Sequence, residues 1–262
     1  MGSLNFVNLT TRKIDQTYTI SPRPRGIHWD GRGLYVVDNN SLGYYTMHGM
    51  ANDDPTGTTT FSGSIPNYAV SGRMTGNGTT LWMGYAKAIG GGPVIYVGDM
   101  ATFSVAVPGD LSTVKVEDSS WANVTYQGPT AGASVHPAIG FDGANIIYQI
   151  HTTAGNYGMW AANIITERAD NFDSTGPAEK FAGWDYDGVG WWCGINSGGI
   201  EYASEHTNYE VIGDPFLVTD LTNILDVSLM HSYSYSNDGS VGGSSGGGCN
   251  YDATHLIVAK VV

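Results

Sequence analysis

A chain of 262 residues with no charge-rich or proline-rich linker is long enough to bury a substantial core and reads as one domain. Only 13% of its residues are charged, while Gly fills 37 positions and Tyr 16, a composition that favours short strands and tight turns over long helices. With 24 acidic against 11 basic side chains the net charge is -13, which repels phosphate backbones and anionic lipid surfaces, so neither nucleic acid nor membrane insertion is expected.

Two strand-like pieces, LNFVNL and QTYTIS, come first, and the start MGSLNFVNLTTRK has no apolar stretch of signal-peptide length, so synthesis in the cytoplasm is expected. A unit then recurs five times: a short apolar strand, an Asp-Gly or Asn-Gly turn, and a second strand. The copies are GIHWDGRGLYVVD, GRMTGNGTTLWMG, AIGFDGANIIYQI, GWDYDGVGWWCGI and YSYSNDGSVGGSS. Their turn glycines Gly31, Gly78, Gly143, Gly188 and Gly239 stand 47, 65, 45 and 51 residues apart, and passing from Gly239 through the chain ends back to Gly31 covers 54. An Asp-Gly pair between apolar runs predicts a hairpin with a type I′ turn, whose two central residues both need positive φ.

The first strand of each copy alternates. Three residues before the Asp or Asn stand Ile27, Met74, Ile139, Trp184 and Tyr235, all large; on either side stand His28, Thr75, Gly140, Asp185 and Ser236, then Gly26, Arg73, Ala138, Gly183 and Ser234. This predicts an innermost strand wedged on one side between sheets and lining a narrow axial channel on the other. Third strands are expected at GYYTM, VIYVG, GMWAA, IEYAS and HLIVAKVV, and fourth strands at TTTFSG, ANVTYQ, EKFA and FLVT. Two departures from the repeat are GGSSGGG, where the other blades have an apolar second strand, and an insertion around TFSVAVPGDLSTVKVEDSSW in blade 2; the segment TDLTNILDV is readable as a short helix with Leu221 and Leu225 on one face or as a strand.

The prediction is an all-β fold, a five-bladed β-propeller whose last blade is closed by the N-terminal strand, with blades near 21–63, 70–128, 136–181, 182–230 and 231–262 plus 1–20. The pattern resembles β-propeller proteins at large, and the D-G-x-x-L-Y-V element (Asp30 to Val36) is similar to blades of NHL-type and gluconolactonase-like propellers. The resemblance implies the ring and transfers no functional residue; the inward acidic set that binds metal in the lactonase-like group has no counterpart.

Propellers bind ligands on the face formed by loops that enter the innermost strand and loops that join second to third strands. Those loops gather Arg25, Tyr68, Lys87, His136, His151, Tyr157, His231 and Tyr251 as candidate ligand-binding residues, aromatic and hydrogen-bonding groups suited to a sugar or a protein surface. His136, His151 and His231 lack a neighbouring carboxylate, so no metal is expected, and no cofactor motif is present. His28, Arg73 and Asp185 are expected to project into the channel, with Arg73 and Asp185 paired as structural glue or as an acid/base group. Cys193 and Cys249 read as free thiols.

Low charge with abundant Gly, Ser, Thr, Asn and Tyr resembles proteins that work outside cells. Together with cytoplasmic synthesis it suggests a virus or bacteriophage particle protein in a tail, fibre or capsid surface, binding a partner subunit or a host receptor, which includes surface glycans. The alternatives are a glycan-binding lectin, which should repeat its polar loop residues from blade to blade, and a five-bladed glycoside hydrolase, which should show two inward carboxylates where only Asp185 is evident.

Overall fold

The structure, a computed structural model, describes residues 1–38, 41–60, 73–89, 95–127, 138–151, 157–166, 168–173, 181–195, 199–204, 216–218, 221–233 and 249–262. The chain begins with β1 (Gly2–Asn8) and β2 (Lys13–Ile20). Blade 1 follows as β3 (Gly26–Trp29), β4 (Leu34–Asp38), β5 (Ser41–Tyr45) and β6 (Gly57–Thr60), with helix α1 (Met47–Asn52) between the last two. Blade 2 has β7 (Met74–Gly76), β8 (Thr80–Ile89), β9 (Ile95–Val105) and β10 (Val114–Gln127). Blade 3 has β11 (Ile139–Phe141), β12 (Asn145–His151), β13 (Tyr157–Asn163) and β14 (Ala169–Asp173). Blade 4 has β15 (Phe181–Tyr186), β16 (Gly190–Ile195), β17 (Gly199–Ser204) and β18 (Phe216–Leu217). The last sheet takes β19 (Ile224–Tyr233) and β20 (Cys249–Val261) and is completed by β1 and β2. All five sheets are four-stranded and antiparallel with neighbouring order, and the chain is a five-bladed β-propeller.

The recurrent hairpins form for a reason that differs from the expected one. Gly31, Gly78, Gly143 and Gly188 have φ between 89° and 99°, but the Asp or Asn before each does not have positive φ. That residue instead anchors the turn with its side chain: Asp30 Oδ1 accepts the N–H groups of Arg32 and Gly33, both at 2.9 Å. Asn77, Asp142 and Asp187 do the same for Thr79 and Thr80, Ala144 and Asn145, and Val189 and Gly190. Positive φ at the first central residue alone excludes type I′, and the carboxylate fixes the turn as an Asx motif. Asp30 and Asp187 also accept the hydroxyls of Tyr44 and Tyr202 from the third strand, tying each turn to its own blade.

Blade 2's insertion is structure, not loop: it lengthens the β9–β10 hairpin, whose tip is capped by Asp110 and seats Leu111 and Val105 against Tyr35 and Tyr44 of blade 1. The fourth strand of blade 3 is Ala169–Asp173 rather than EKFA, whose Phe181 begins the inner strand of blade 4.

The closing sheet holds the main correction. HLIVAKVV is its second strand and not its third, and TDLTNILDV leads into its innermost strand β19, so this blade starts upstream of residue 231. The Asn-Asp-Gly turn at 237–239 lies outside the described residues. β1 runs between β20 and β2, in register from Gly2↔Val261 to Asn8↔His255, and His255 Nε2 meets Asp15 Oδ2 on β2 at 3.0 Å across it.

Deleting residues 255–262 should abolish folding, because β1 loses one of its two strand partners and Leu256, Ile257, Val258 and Ala259, all at 0% exposure, are removed. At about 1.5 to 3 kcal/mol for each of the three larger side chains, with the ladder hydrogen bonds in addition, the loss matches the whole stability of an ordinary domain, about 5 to 15 kcal/mol. Circular dichroism and gel filtration of the truncated chain check this; a soluble product with the full-length melting temperature contradicts it.

Candidate functional site

The five inner strands β3, β7, β11, β15 and β19 surround the axis with one edge each unpaired by any neighbour in its own sheet. Their relative register is fixed by side chains. Ile27 N–H donates to Asp226 Oδ2 at 2.9 Å and Trp29 N–H to Ser228 Oγ at 3.0 Å, both across 199 residues of chain, so β3 and β19 run in the same direction step for step. Ser228 Oγ donates to Asp185 Oδ2 at 3.1 Å and Leu229 N–H donates to the same oxygen at 2.8 Å, which sets β15 beside β19 in the same sense.

Two layers of equivalent positions follow: Gly26, Arg73, Ala138, Gly183 and Asp226, then His28, Thr75, Gly140, Asp185 and Ser228. All are buried. The large residues between them pack backward onto the preceding blade: Ile27 onto Leu4, Phe6 and Ile257, Met74 onto Tyr35 and Val37, Trp184 onto Ile147 and Met159, Val227 onto Ala182 and Ile200. The predicted wedge is therefore present at three of the predicted positions, with Val227 in place of Tyr235. The polar members Arg73, Asp185, Asp226 and Ser228 turn toward neighbouring inner strands and satisfy backbone groups on those edges.

Asp226 carries the largest share. Its Oδ2 accepts the N–H groups of Ile27 and Met74, at 2.9 and 3.3 Å, and its Oδ1 accepts its own neighbour Val227 N–H at 3.0 Å, so one carboxylate joins blades 5, 1 and 2. Arg73 supplies the complementary donors, with Nε on the Ala182 carbonyl at 2.5 Å and a terminal nitrogen on the Arg25 carbonyl at 2.7 Å. Its charge and that of Asp226 attract each other. Gln149 Oε1 accepts Phe181 N–H at 3.2 Å and links blade 3 to blade 4. Burial raises Asp226 to about 8 and Asp185 to about 6, outweighing the opposing pull of their N–H donors and, for Asp226, of Arg73; burial lowers Arg73 to about 10.

Asp226, Ser228 and Gln149 were missed in the sequence. The polar–apolar–polar triplet Asp226–Val227–Ser228 matches Gly183–Trp184–Asp185 and Gly26–Ile27–His28, and that alternation is the signal that could have found it. Asp226 also supplies a second inward carboxylate where only Asp185 had been counted.

Inner strands begin at one face, here the upper, and end at the lower. Arg25 immediately precedes β3 at the upper face, Lys87 lies near the upper end of β8, and His151 and Tyr157 are paired at the upper ends of β12 and β13. His231 and Tyr251 lie at the lower end of the β19–β20 hairpin, opposite to the expected face, because β20 is the second strand of its blade. β19 therefore ends and β20 begins at the lower face, and His231 cannot share a ligand with His151. Tyr68 and His136 lie outside the described residues. Cys193 is a buried free thiol whose ionisation is pushed up by burial. Among the described residues no helix is long and apolar enough to cross a membrane.

No protein-family model matches the chain, and no curated protein matches it. Among solved structures it is similar to Myxococcus xanthus glutaminyl cyclase, at 10% identity over 94% of each chain and a TM-score of 0.47. It is similar to BamB from Moraxella catarrhalis at 11% identity, over 99% of this chain and 67% of that one, with a TM-score of 0.37. A DUF4623 family protein from Bacteroides eggerthii aligns at 10% identity over 79% of this chain with a TM-score of 0.41, and this chain spans 47% of its length. These likenesses concern the fold alone; the class of protein, a five-bladed propeller with an axial polar belt, rests on the chain's own sheet order and hydrogen bonds.

Two outcomes test the belt. Asp185 and Asp226 have folded values above the ordinary 3.8, so their neutral forms favour the folded ring: that contribution is full below 3.8 and is lost as pH rises through about 6 for Asp185 and about 8 for Asp226. Thermal midpoints measured by calorimetry should fall from mildly acidic to alkaline pH, and Asp226→Asn should flatten the upper part of that decline. Gly183→Ala should destabilise the ring by about 3 kcal/mol in chemical denaturation, since a Cβ there meets Val227 N at 2.7 Å and Asp226 Cα at 2.9 Å, backbone atoms with nowhere to move.

Proposed function

We propose that this protein is a non-enzymatic interaction module of a virus or bacteriophage particle, placed in a tail, fibre or capsid surface, that binds a neighbouring subunit or a host receptor. The observation that carries the reading is the use of the axial polar groups: Arg73, Asp185, Asp226 and Ser228 hold blades to one another through backbone groups. Recognition is then left to the two loop-bearing faces, which the ring presents on a rigid frame. The low charge and the abundance of Gly and Tyr suit a surface that works outside the cell, in the virion or free after release.

A glycoside hydrolase needs two carboxylates flanking a glycosidic bond. Asp185 and Asp226 supply the number, yet both are buried and both accept backbone N–H donors, so no observation favours that reading over the first.

Immunogold labelling of particles from a lysate with an antibody against this chain should decorate one fixed place on the particle. Protein found only free in the lysate rejects the virion assignment. Exchange of Lys87 and Tyr157, both on the upper face, for Ala should lower retention on the particle or on host cells about tenfold while leaving the melting temperature close to that of the parent chain.

A further inference from the structure

Blade 1 turns one face of its sheet toward the closing sheet, and alternate residues on β4 and β5, among them Asp38, Gly43 and Tyr45, look out from that face. With Pro22 from the β2–β3 connection and Asp53 and Pro55 from the segment after α1, they line a cavity of about 230 Å³. Gly43 keeps it open: a Cβ at that position stands 3.1 Å from Tyr45 Cε2 and 3.9 Å from Pro55 Cβ.

The two carboxylates in the wall differ. Asp53 is engaged, accepting both the backbone N–H and the hydroxyl of Ser21. Asp38 is not: its buried Oδ1 receives no hydrogen bond, and the nearby Ser41 hydroxyl goes to the Asp38 carbonyl instead. Among the described residues no basic side chain lines the cavity. The negative potential is felt by Tyr45, which burial, Asp53 and Asp38 together push up to about 12.

Size and chemistry narrow the occupant. Sites for drug-sized ligands begin near 300 Å³, so this cavity takes one side chain rather than a saccharide chain or a nucleotide. Calcium asks for about six to eight oxygens, and one of the two carboxylates is already engaged. A guanidinium asks for less: a carboxylate oxygen without a donor and a flat wall for its plane, which Asp38 and the Tyr45 ring with Pro22 and Pro55 provide.

We propose that this cavity is an anchor pocket for one arginine side chain of a partner protein. The inference deepens the interaction reading above and rests on it. A carboxylate oxygen turned into a partly enclosed wall without a donor is unfavourable until one arrives, so the incoming cation satisfies a group the fold leaves unsatisfied. The net charge of -13 draws a basic partner in from a distance.

The test is a titration of the full chain with N-acetyl-arginine amide, followed through the backbone amide NMR signals of Asp38, Gly43 and Asp53, with N-acetyl-norleucine amide and calcium chloride as parallel probes. Saturable shifts with the arginine compound alone are expected, weakened about tenfold or more in Asp38→Asn, with that variant's melting temperature unchanged. Gly43→Ala, which narrows the cavity and leaves the charges in place, should weaken them as well. No response to the arginine compound, an equal response to the norleucine compound, a response to calcium instead, or full affinity in Asp38→Asn overturns the proposal. Arginine binding by a chain that is absent from particles rejects the virion assignment and leaves the pocket; decoration of particles by a chain that ignores arginine rejects the pocket alone.

Discussion

Five sheets converging on one axis bring five strand edges together in the interior, and every buried N–H and C=O on those edges needs a partner. The chain meets this constraint with side chains projected from one inner strand onto another. Asp226, Ser228 and Asp185 accept N–H groups, Gln149 adds an acceptor from a second strand, and Arg73 donates to carbonyls on two other blades. The rest of the axial composition follows from it. Gly183 is glycine because Asp226 and the Val227 backbone occupy the place of its Cβ, and Gly140 because Trp191 and Trp184 stand 2.5 and 2.7 Å from where one would be. Bulky residues can then face only backward, which fixes the direction in which each blade wedges onto its predecessor.

How much of this was legible depended on whether a feature repeats. The Asp-Gly and Asn-Gly turns recur because each uses the same local device, a side-chain oxygen capping two N–H groups with Gly at positive φ, so four blades could be placed from sequence alone. The turn type was misjudged because the Asp had been credited with positive φ when its work is done by its carboxylate. The fifth blade breaks the repeat. Its inner strand carries the same alternation, but no Asp-Gly follows Asp226–Val227–Ser228 two residues later, and a decoy Asn-Asp-Gly appears beyond the strand's end. A search keyed to the turn slides to the decoy; one keyed to the alternation does not.

That slide explains why the candidate site was only partly legible. Moving a strand from third to second place in its blade reverses the face on which its preceding loop emerges, since antiparallel strands alternate in direction. Tyr251 and His231 thus leave the upper face, while Lys87, His151 and Tyr157, from blades placed correctly, stay on it. The cavity beside Asp38 was illegible for another reason. It is lined by residues between Ser21 and Thr58 that strand pairing within blade 1 and the segments flanking it bring together, and nothing local in the sequence marks that meeting.

The closing sheet ties these strands of argument together. β1 and β20 join the two ends of the chain along seven paired positions, and on the axis the same sheet presents Asp226 and Ser228 to blade 1. Opening the seam would strip β1 and β20 of each other and at the same stroke uncover Ile27 and Trp29 N–H groups and leave a buried carboxylate without its donors. Partial opening gains little entropy and loses both layers of contacts, so the ring is expected to come apart as one cooperative unit. Its formation is correspondingly late, because the contacts that complete it join residues about 200 to 250 positions apart and loop closure has to precede their reward. The polar belt thus acts as the ring's fastener as well as its filling: the groups that satisfy the axis are the ones that report whether the two ends of the chain have met.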